Sequence, residues 1–291
     1  MSRVAVIGPG AIGGVAAAWL AQGGHEVTLC ARTPFAGLVV ETPDGPLRSS
    51  PPVLTDPAAA APVDWVLVAT KAYDVAATAP WLERLMGDGT RLAVLQNGVT
   101  HVERFRHLVP EERIVPVVVG LPANRSAPGR IMQHAYGTMF VPDGRNGEDY
   151  VALFAQSRIA VATDPDFVSR LWAKLCLNAA GAVPTLTLTA TGAAWSAGLE
   201  GLVRGIAEEC AAVARAEGAT ITQEVIDMVV SNAQARPGGV NSMHADRLAG
   251  RPMEIEERNG VIVRLGRKHG IPTPVSEVIV ELLRAIRPPQ P

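Results

Sequence analysis

A glycine-rich turn near the start of the chain has the spacing that could bind the phosphates of a dinucleotide. Residues 8–13 read GPGAIG and directly follow the apolar run 4–7. In a strand–turn–helix of this kind, the first glycine permits the sharp turn and the second lets the backbone approach a pyrophosphate. The third lets the helix pack close to the strand, and the helix N-terminus stabilises the phosphate charge. The motif therefore predicts dinucleotide binding, but it indicates no reaction.

The residues at the end of the second predicted strand indicate which dinucleotide is bound. NAD-binding folds usually place an acidic residue there, about twenty residues after the glycine turn. This chain has Cys30-Ala31-Arg32-Thr33 at that place instead. A carboxylate would repel the 2′-phosphate of NADP, whereas a guanidinium can bind it through two hydrogen bonds. The pattern favours NADP(H) over NAD(H); in the alternative interpretation, Arg32 is only a solvated loop residue.

Further polar side chains that could act on a substrate occur in four places. Lys71 follows a predicted strand, at the edge of the sheet where ligands gather, and Asn97 ends another strand. Lys174 and Asn178 are four residues apart, so one helical face presents both. The segment 242–259 reads SMHADRLAGRPMEIEERN and contains several polar residues. Each also has a simpler interpretation, as a surface charge, a turn, a helix cap or a helix-dipole contact.

The elements that must position these residues change character along the chain. The first half alternates apolar runs at 4–7, 25–31, 64–69, 91–95 and 114–119 with helical patterns, including one over 73–86. Residues 38–45 suggest a short hairpin, and the segments 131–134 and 138–141 suggest an added antiparallel pair. This alternation predicts a doubly wound sheet.

The second half has helical spacing. Leu171, Leu175 and Ala179 form one apolar stripe, and a second stripe contains Leu202, Ile206, Cys210 and Val213. A late helix is expected to end at Gly270. We therefore expect an α/β protein with a Rossmann-like doubly wound domain over residues 1–164 and an all-α domain over residues 165–291. The length of 291 residues is sufficient for two domains that share a cleft.

Composition excludes several classes of function. The net charge of −2 and the absence of a basic run argue against nucleic-acid binding. Three widely spaced cysteines are typical of a reducing compartment, and the six histidines show no metal-ligand spacing, so no metal is expected. Since no apolar run could span a bilayer and the N-terminus lacks a basic leader, we expect a cytoplasmic protein without a membrane segment. A homodimer is left open.

Four pieces of the sequence, taken together, resemble the ketopantoate reductase family, the NADPH-dependent 2-dehydropantoate 2-reductases. They are KAYD at 71–74, QNGV at 96–99, the W-x-K-L-x-x-N helix at 172–178, and the S-M-x-x-D … E-I-x-x-x-N-G segment at 242–260. Their order and spacing match the family over nearly the whole chain. The combination is much more specific than the glycine turn, which many families share.

The resemblance implies roles for individual residues. Hydride transfer to a ketone places negative charge on its oxygen, which requires a proton donor. The family's general acid falls on Lys174, and its carboxylate, which binds the substrate hydroxyl and helps set the environment of the lysine, falls on Glu254. The implied substrate contacts are Asn97, Asn178 and Ser242. The implied cofactor contacts are Gly8, Gly10, Ala11, Ile12, Gly13, Arg32, Lys71 and Asn97. His244 could also line the site, although a surface loop position is favoured.

The expected activity is the NADPH-dependent reduction of a 2-keto acid to a 2-hydroxy acid, with 2-dehydropantoate in pantothenate biosynthesis as the best single substrate. Residues 1–164 would bind NADP(H), and residues 165–291 would bind the keto acid and carry out catalysis. The family commonly has two further asparagines where this chain has Ala182 and Thr191, so a different keto acid stays open. The alternatives are a related two-domain hydroxyacid or imine reductase and a non-catalytic NADP(H)-binding sensor.

Overall fold

The computed structural model describes residues 1–189, 197–235 and 240–286. The chain divides into an N-terminal unit, Met1–Phe167, and a C-terminal unit, Val168–Pro291. The strands are β1 (Arg3–Ile7), β2 (Glu26–Cys30), β3 (Leu38–Thr42), β4 (Gly45–Ser49), β5 (Val53–Leu54), β6 (Val63–Val68), β7 (Met86–Val94), β8 (Ile114–Pro116), β9 (Val118–Gly120), β10 (Ala123–Ala127), β11 (Arg130–Gln133), β12 (Thr138–Pro142) and β13 (Ala160–Asp164).

The α-helices alternate with strands in the N-terminal unit and follow one another in the C-terminal unit. They are α1 (Ala11–Gln22), α2 (Ala79–Leu85), α3 (His101–Phe105), α4 (Arg145–Leu153), α5 (Phe167–Ala180), α6 (Ala182–Thr187), α7 (Ala197–Ala216), α8 (Gln223–Ala235), α9 (Ser242–Leu248), α10 (Val261–His269) and α11 (Pro274–Ala285). A π-helix, Glu256–Gly260, leads directly into α10.

The N-terminal unit is built on a six-stranded parallel sheet with the order β5-β2-β1-β6-β7-β8. Its central strands are continuous apolar runs because both faces are covered, and Val4, Val66 and Leu92 are fully buried. Since β1, β6 and β7 are neighbours and run in the same direction, the turns that follow them lie at one edge of the sheet. The predicted α/β, Rossmann-like class is confirmed.

Two predictions about the N-terminal unit were wrong in detail. The segments 131–134 and 138–141 do not pair with each other, because β11 joins β10 and β3 whereas β12 joins β9 and β13. The helix predicted over 73–86 is a 3-10 helix, Ala72–Thr78, followed by α2, and β7 already begins at Met86. Asp74, inside the 3-10 segment, has a non-helical backbone, and Pro80 favours the start of a new helix, so no continuous α-helix covers residues 73–86. The hairpin predicted over 38–45 is confirmed by the antiparallel pairing of β3 and β4.

The described part of the C-terminal unit consists of helices. Its core contains Leu175, Ala179, Ile206, Cys210 and Val213, in agreement with the predicted stripes. Leu202 was wrongly placed in the second stripe: its side chain is 40% exposed, and the neighbouring Val203 is buried instead. The late helix ends at Gly270, which caps α10 in the left-handed conformation. In the parts of the chain that the structure describes, no helix combines the length and the apolar composition needed to cross a membrane.

Candidate active site

The glycine turn between β1 and α1 has the geometry that a bound pyrophosphate requires. Gly8 has a φ of +84°, and a Cβ there would lie 2.8 Å from the backbone nitrogen of Thr70. A Cβ on Gly13 would lie 2.4 Å from the Gly8 carbonyl oxygen, so α1 could not pack against the turn. Above Gly10, by contrast, the space is open, since a Cβ would meet no described atom nearer than the Gly8 oxygen at 4.0 Å. The first turn of α1, which begins at Ala11 and Ile12, contains no acidic residue that would repel a phosphate.

Arg32 lies two residues beyond the end of β2, next to the glycine turn. The Gly8 N–H donates to the Cys30 carbonyl oxygen at 3.1 Å, which ties the turn to the end of β2. The Arg32 side chain is exposed. An exposed guanidinium beside the turn is compatible with binding a 2′-phosphate, because its five N–H donors are accessible to a ligand.

Lys71 follows β6 and Asn97 follows the adjacent strand β7. Gln96, which directly precedes Asn97, connects the two loops. Gln96 Nε2 donates to Thr70 Oγ1 at 3.0 Å and to the Lys71 carbonyl oxygen at 3.3 Å. Lys71 and Asn97 are both half-buried. Gln96 is therefore a positioning residue, and its place inside the QNGV motif was the signal in the sequence that could have identified it.

Two residues of α3, Arg104 and His101, also make hydrogen bonds to this loop. Arg104 Nη1 donates to Gln96 Oε1 at 2.8 Å, and Arg104 Nη2 donates to the Asn97 carbonyl oxygen at 2.6 Å. His101 Nε2 lies 2.7 Å from the Gln96 carbonyl oxygen. Burial, together with a smaller contribution from the Arg104 charge, lowers the pKa of His101 to about 3. The imidazole is therefore neutral and donates through Nε2. The sequence contained no signal for this arrangement.

In the C-terminal unit, Lys174 and Asn178 are one turn apart on α5, and both are half-buried. Glu254 is 3% exposed and lies two residues before the π-helix. Cys176 is fully buried, as predicted from its place on the other face of α5. A buried carboxylate is costly unless polar groups compensate its charge. The compensating groups near Glu254 include a second buried residue, Arg258.

Arg258 is 1% exposed and connects three segments of the C-terminal unit. Its Nη1 donates to Ser242 Oγ at 3.3 Å, and its Nη2 donates to the Asn178 carbonyl oxygen. Burial lowers the pKa of Arg258 to about 10, while the charges of Glu254 and Asp246 oppose the shift. Arg258 therefore remains a cation at neutral pH. The sequence showed its charge but not its burial, so no role was predicted for it.

The beginning of α9 overturns the expectation for His244 and shows which residue caps the helix. Asn241, not Ser242, caps the helix, and its Oδ1 accepts from the N–H groups of Met243 and His244 at 3.0 and 3.1 Å. His244 was expected on a surface loop but is 2% exposed and lies within α9. Burial lowers the pKa of His244, and the Arg247 charge adds to this effect. Since Asn241 makes the cap, the exposed Ser242 hydroxyl is available for another role.

Two positions, Ala182 and Thr191, depart from the family pattern. Ala182 is fully buried at the first residue of α6. Thr191 lies outside the described residues. Over the described ranges, no three His, Cys, Asp or Glu side chains are grouped so that they could hold a metal ion.

Comparisons with known proteins agree with the resemblance found in the sequence. The family model described as "Ketopantoate reductase PanE/ApbA" matches residues 4–146, and the model of its C-terminal part matches residues 166–287. The 2-dehydropantoate 2-reductase of Caulobacter vibrioides is 52% identical over 287 residues, which cover 98% of this chain and 99% of that relative.

Solved structures extend the similarity to the fold. A PanE/ApbA family ketopantoate reductase from Ralstonia eutropha is 32% identical with a TM-score of 0.90, and 97% of each chain is covered. A dimeric ketopantoate reductase from Staphylococcus aureus is 25% identical with a TM-score of 0.86, covering 97% of this chain and 98% of that one. Matches of this length and identity confirm the predicted resemblance: this chain belongs to the ketopantoate reductase family.

Proposed function

We propose that this oxidoreductase reduces 2-dehydropantoate to pantoate, with NADPH as the hydride donor. The observation that carries the proposal is the full-length match to a 2-dehydropantoate 2-reductase. NADPH use is the general property of the family. The glycine turn and the arginine after β2 are the features of this chain that support the same cofactor.

The N-terminal unit supplies the cofactor contacts in this proposal. The N–H groups around Gly10, Ala11 and Ile12 bind the pyrophosphate, for which Gly8 and Gly13 shape the turn. Arg32 binds the 2′-phosphate, and this contact favours NADPH over NADH. Lys71 and Asn97 contact the cofactor from the neighbouring strand ends, where Gln96 holds both loops. When bound, NADPH supplies the hydride.

The C-terminal unit supplies the acid and the substrate contacts. Hydride addition to the 2-carbonyl carbon moves an electron pair onto the carbonyl oxygen, and the Lys174 ammonium donates a proton to that oxygen. Glu254 accepts a hydrogen bond from the substrate hydroxyl and helps to set the environment of Lys174. Asn178, Asn97 and Ser242 orient the keto acid, with Ser242 on its carboxylate. The product is the 2-hydroxy acid, and a neutral lysine is left to regain its proton from water.

The domain roles, the assembly and the location complete the proposal. Residues 1–164 form the NADP(H)-binding domain, and residues 165–291 form the substrate and catalytic domain. The protein acts as a homodimer, as the Staphylococcus aureus relative is described. It works in the cytoplasm, a location supported by the three free, buried cysteines, Cys30, Cys176 and Cys210.

Turnover of a panel of 2-keto acids tests the proposed substrate. Purified protein is mixed with NADPH and with 2-dehydropantoate, pyruvate, 2-oxoisovalerate or benzoylformate, and NADPH oxidation is followed by absorbance. We expect the highest kcat/KM with 2-dehydropantoate. A higher kcat/KM with another acid would support the reduction chemistry but reject this substrate. The sequence argument for that outcome is Ala182, which stands where the family commonly has an asparagine. NADPH binding without oxidation in any mixture would indicate a sensor.

A further inference from the structure

Arg258 is placed where three segments with predicted substrate residues meet. The π-helix that contains it follows Glu254, its Nη2 donates to the main chain of Asn178, and its Nη1 donates to Ser242. The guanidinium is buried, with 1% of the residue exposed, and it is charged at neutral pH. A cation in such a place is costly in free energy unless its donors have partners. Its contacts therefore constrain all three segments.

Glycine at position 181 leaves room for the guanidinium. A Cβ on Gly181 would lie 3.0 Å from Arg258 Nη2, 3.0 Å from the Asn178 carbonyl oxygen and 2.9 Å from Asn241 Nδ2. Asn241 Nδ2 also donates to the Gly181 carbonyl oxygen at 2.9 Å. The turn between α5 and α6 is thus built closely around the head of Arg258. Its cation lies beside the C-terminal end of α5, where positive charge is favourable.

The contact between Arg258 and Ser242 restricts the direction of the serine proton. A guanidinium can only donate hydrogen bonds, so Ser242 Oγ must be the acceptor. A hydroxyl has one proton, and once Oγ accepts from Arg258 that proton is directed toward a different acceptor. Asn241 already provides the cap of α9, and the Ser242 side chain is exposed. The hydroxyl is therefore held as a donor at an accessible position.

We propose that Arg258 is a positioning residue for substrate recognition: it acts through Ser242, whose hydroxyl it orients to donate to the carboxylate of the keto acid. The proposal rests on the proposed function, because it takes a 2-keto acid as the ligand. Arg258 itself does not touch the substrate, since its side chain is buried. Its effect is on the affinity for the keto acid, whereas the affinity for NADPH belongs to the N-terminal unit.

A double-mutant cycle tests this role. Arg258→Met removes the donors while keeping a long side chain, Ser242→Ala removes the hydroxyl, and the double variant removes both. We expect Arg258→Met to raise KM for 2-dehydropantoate roughly 10- to 100-fold, as for the loss of a hydrogen bond to a charged group. In the Ser242→Ala background the same change should raise KM by less than about 3-fold. KM for NADPH should stay within about 2-fold of wild type in every variant, because Arg258 lies in the other unit.

Two controls distinguish a failure of the proposed role of Arg258 from a failure of the proposed substrate. Arg267→Met removes an exposed arginine from α10 that pairs with Glu277 at 3.1 Å, and it should leave both KM values unchanged. If wild type does not reduce 2-dehydropantoate, the proposed function fails and the cycle is run with the best acid of the panel. The role of Arg258 is overturned if wild type is active but Arg258→Met leaves KM for the keto acid unchanged. It is also overturned if the fold-change in KM of the double variant equals the product of the two single-variant fold-changes.

A conservative variant keeps the test decisive if Arg258→Met does not fold. Arg258→Lys retains a cation but cannot donate to Ser242 Oγ and to the Asn178 carbonyl oxygen with the same fork. Its KM for the keto acid should rise as well, and circular dichroism checks that it folds. Failure of both variants to fold would assign Arg258 to the stability of the unit and reject a role in recognition.

Discussion

In the N-terminal unit the candidate cofactor site is made mainly of backbone groups and of side chains at strand ends. In the C-terminal unit, by contrast, the candidate substrate site contains buried charges on the π-helix and just before it. The glycine turn offers N–H groups, and Arg32 is exposed. Glu254 and Arg258 are 3% and 1% exposed. Electrostatic effects are larger where water is excluded. The first site therefore depends on backbone shape and the second on charge, so substitutions in the two units should have different consequences.

The largest expected effect is that of removing the charge of Lys174. Lys174→Ala should lower kcat by about 10²- to 10⁴-fold, because the developing alkoxide loses its proton donor. Binding of NADPH, measured by fluorescence titration, should change by less than about 2-fold if the two sites are as distinct as the comparison implies. Lys268→Ala is the matched control, since Lys268 is exposed and pairs with Glu217 at 2.8 Å. An unchanged kcat in Lys174→Ala would remove this residue from the mechanism.

Adding one methyl group to the glycine turn should have the next largest effect, now on the cofactor. In Gly13→Ala the Cβ would lie 2.4 Å from the Gly8 carbonyl oxygen and 3.0 Å from Ala69 Cβ. The strain should lower the free energy of unfolding by about 1–3 kcal/mol in urea denaturation and weaken NADPH binding. Gly89→Ala is the control, because nothing lies within 4 Å of a Cβ there. If NADPH binds equally well to Gly13→Ala, backbone shape does not determine the cofactor site.

Removing the exposed arginine after β2 should change cofactor preference. Arg32→Ala should weaken NADPH roughly 10-fold, the loss expected for about 1.4 kcal/mol of charge-assisted hydrogen bonding, and should leave NADH nearly unchanged. Titrations with both dinucleotides measure the ratio. Arg48→Ala, in which an exposed arginine is removed from β4, should leave that ratio as in wild type. Equal losses for NADPH and NADH would show that Arg32 does not bind the 2′-phosphate.

The smallest expected effect concerns the helix cap next to Ser242. Asn241→Ala should lower the free energy of unfolding by about 1 kcal/mol, because the N–H groups of Met243 and His244 lose their acceptor. Asn241→Asp keeps an acceptor at the cap but loses the Nδ2 donor to the Gly181 carbonyl oxygen, so it should recover only part of this loss in urea denaturation. If Asn241→Ala is as stable as wild type, the cap does not fix the start of α9, and Ser242 is positioned by other contacts.

The sequence predicted the N-terminal unit better than the C-terminal one for a physical reason. Buried parallel strands must be apolar runs and their ends must lie together, so the places of the glycine turn, Lys71 and Asn97 followed from the pattern. The pairing of β11 and β12 was wrong because both read as amphipathic strands, and local pattern does not specify a partner strand.

Burial of polar groups in the helical unit could not be read from the pattern. The sequence cannot distinguish a charge on the surface from one inside, so Arg258 was missed and His244 was placed on a surface loop. Asn241 and Ser242 are adjacent residues with similar capping tendency, and only the backbone shows that Asn241 is the cap. Lys174 and Glu254 were identified through the motifs of the family, not through their surroundings.

The π-helix at Glu256–Gly260 has a consequence for how the chain tolerates changes in length. A π-turn takes one residue more than an α-turn, and each residue rotates the chain by roughly 100° about the helix axis. The residues that precede the π-helix, including Glu254, are therefore rotated about the helix axis relative to the residues of α10. In the proposed mechanism, this extra residue helps to set the direction from which the Glu254 carboxylate meets the substrate. Chain length, and not only residue type, is therefore part of what specifies the position of Glu254.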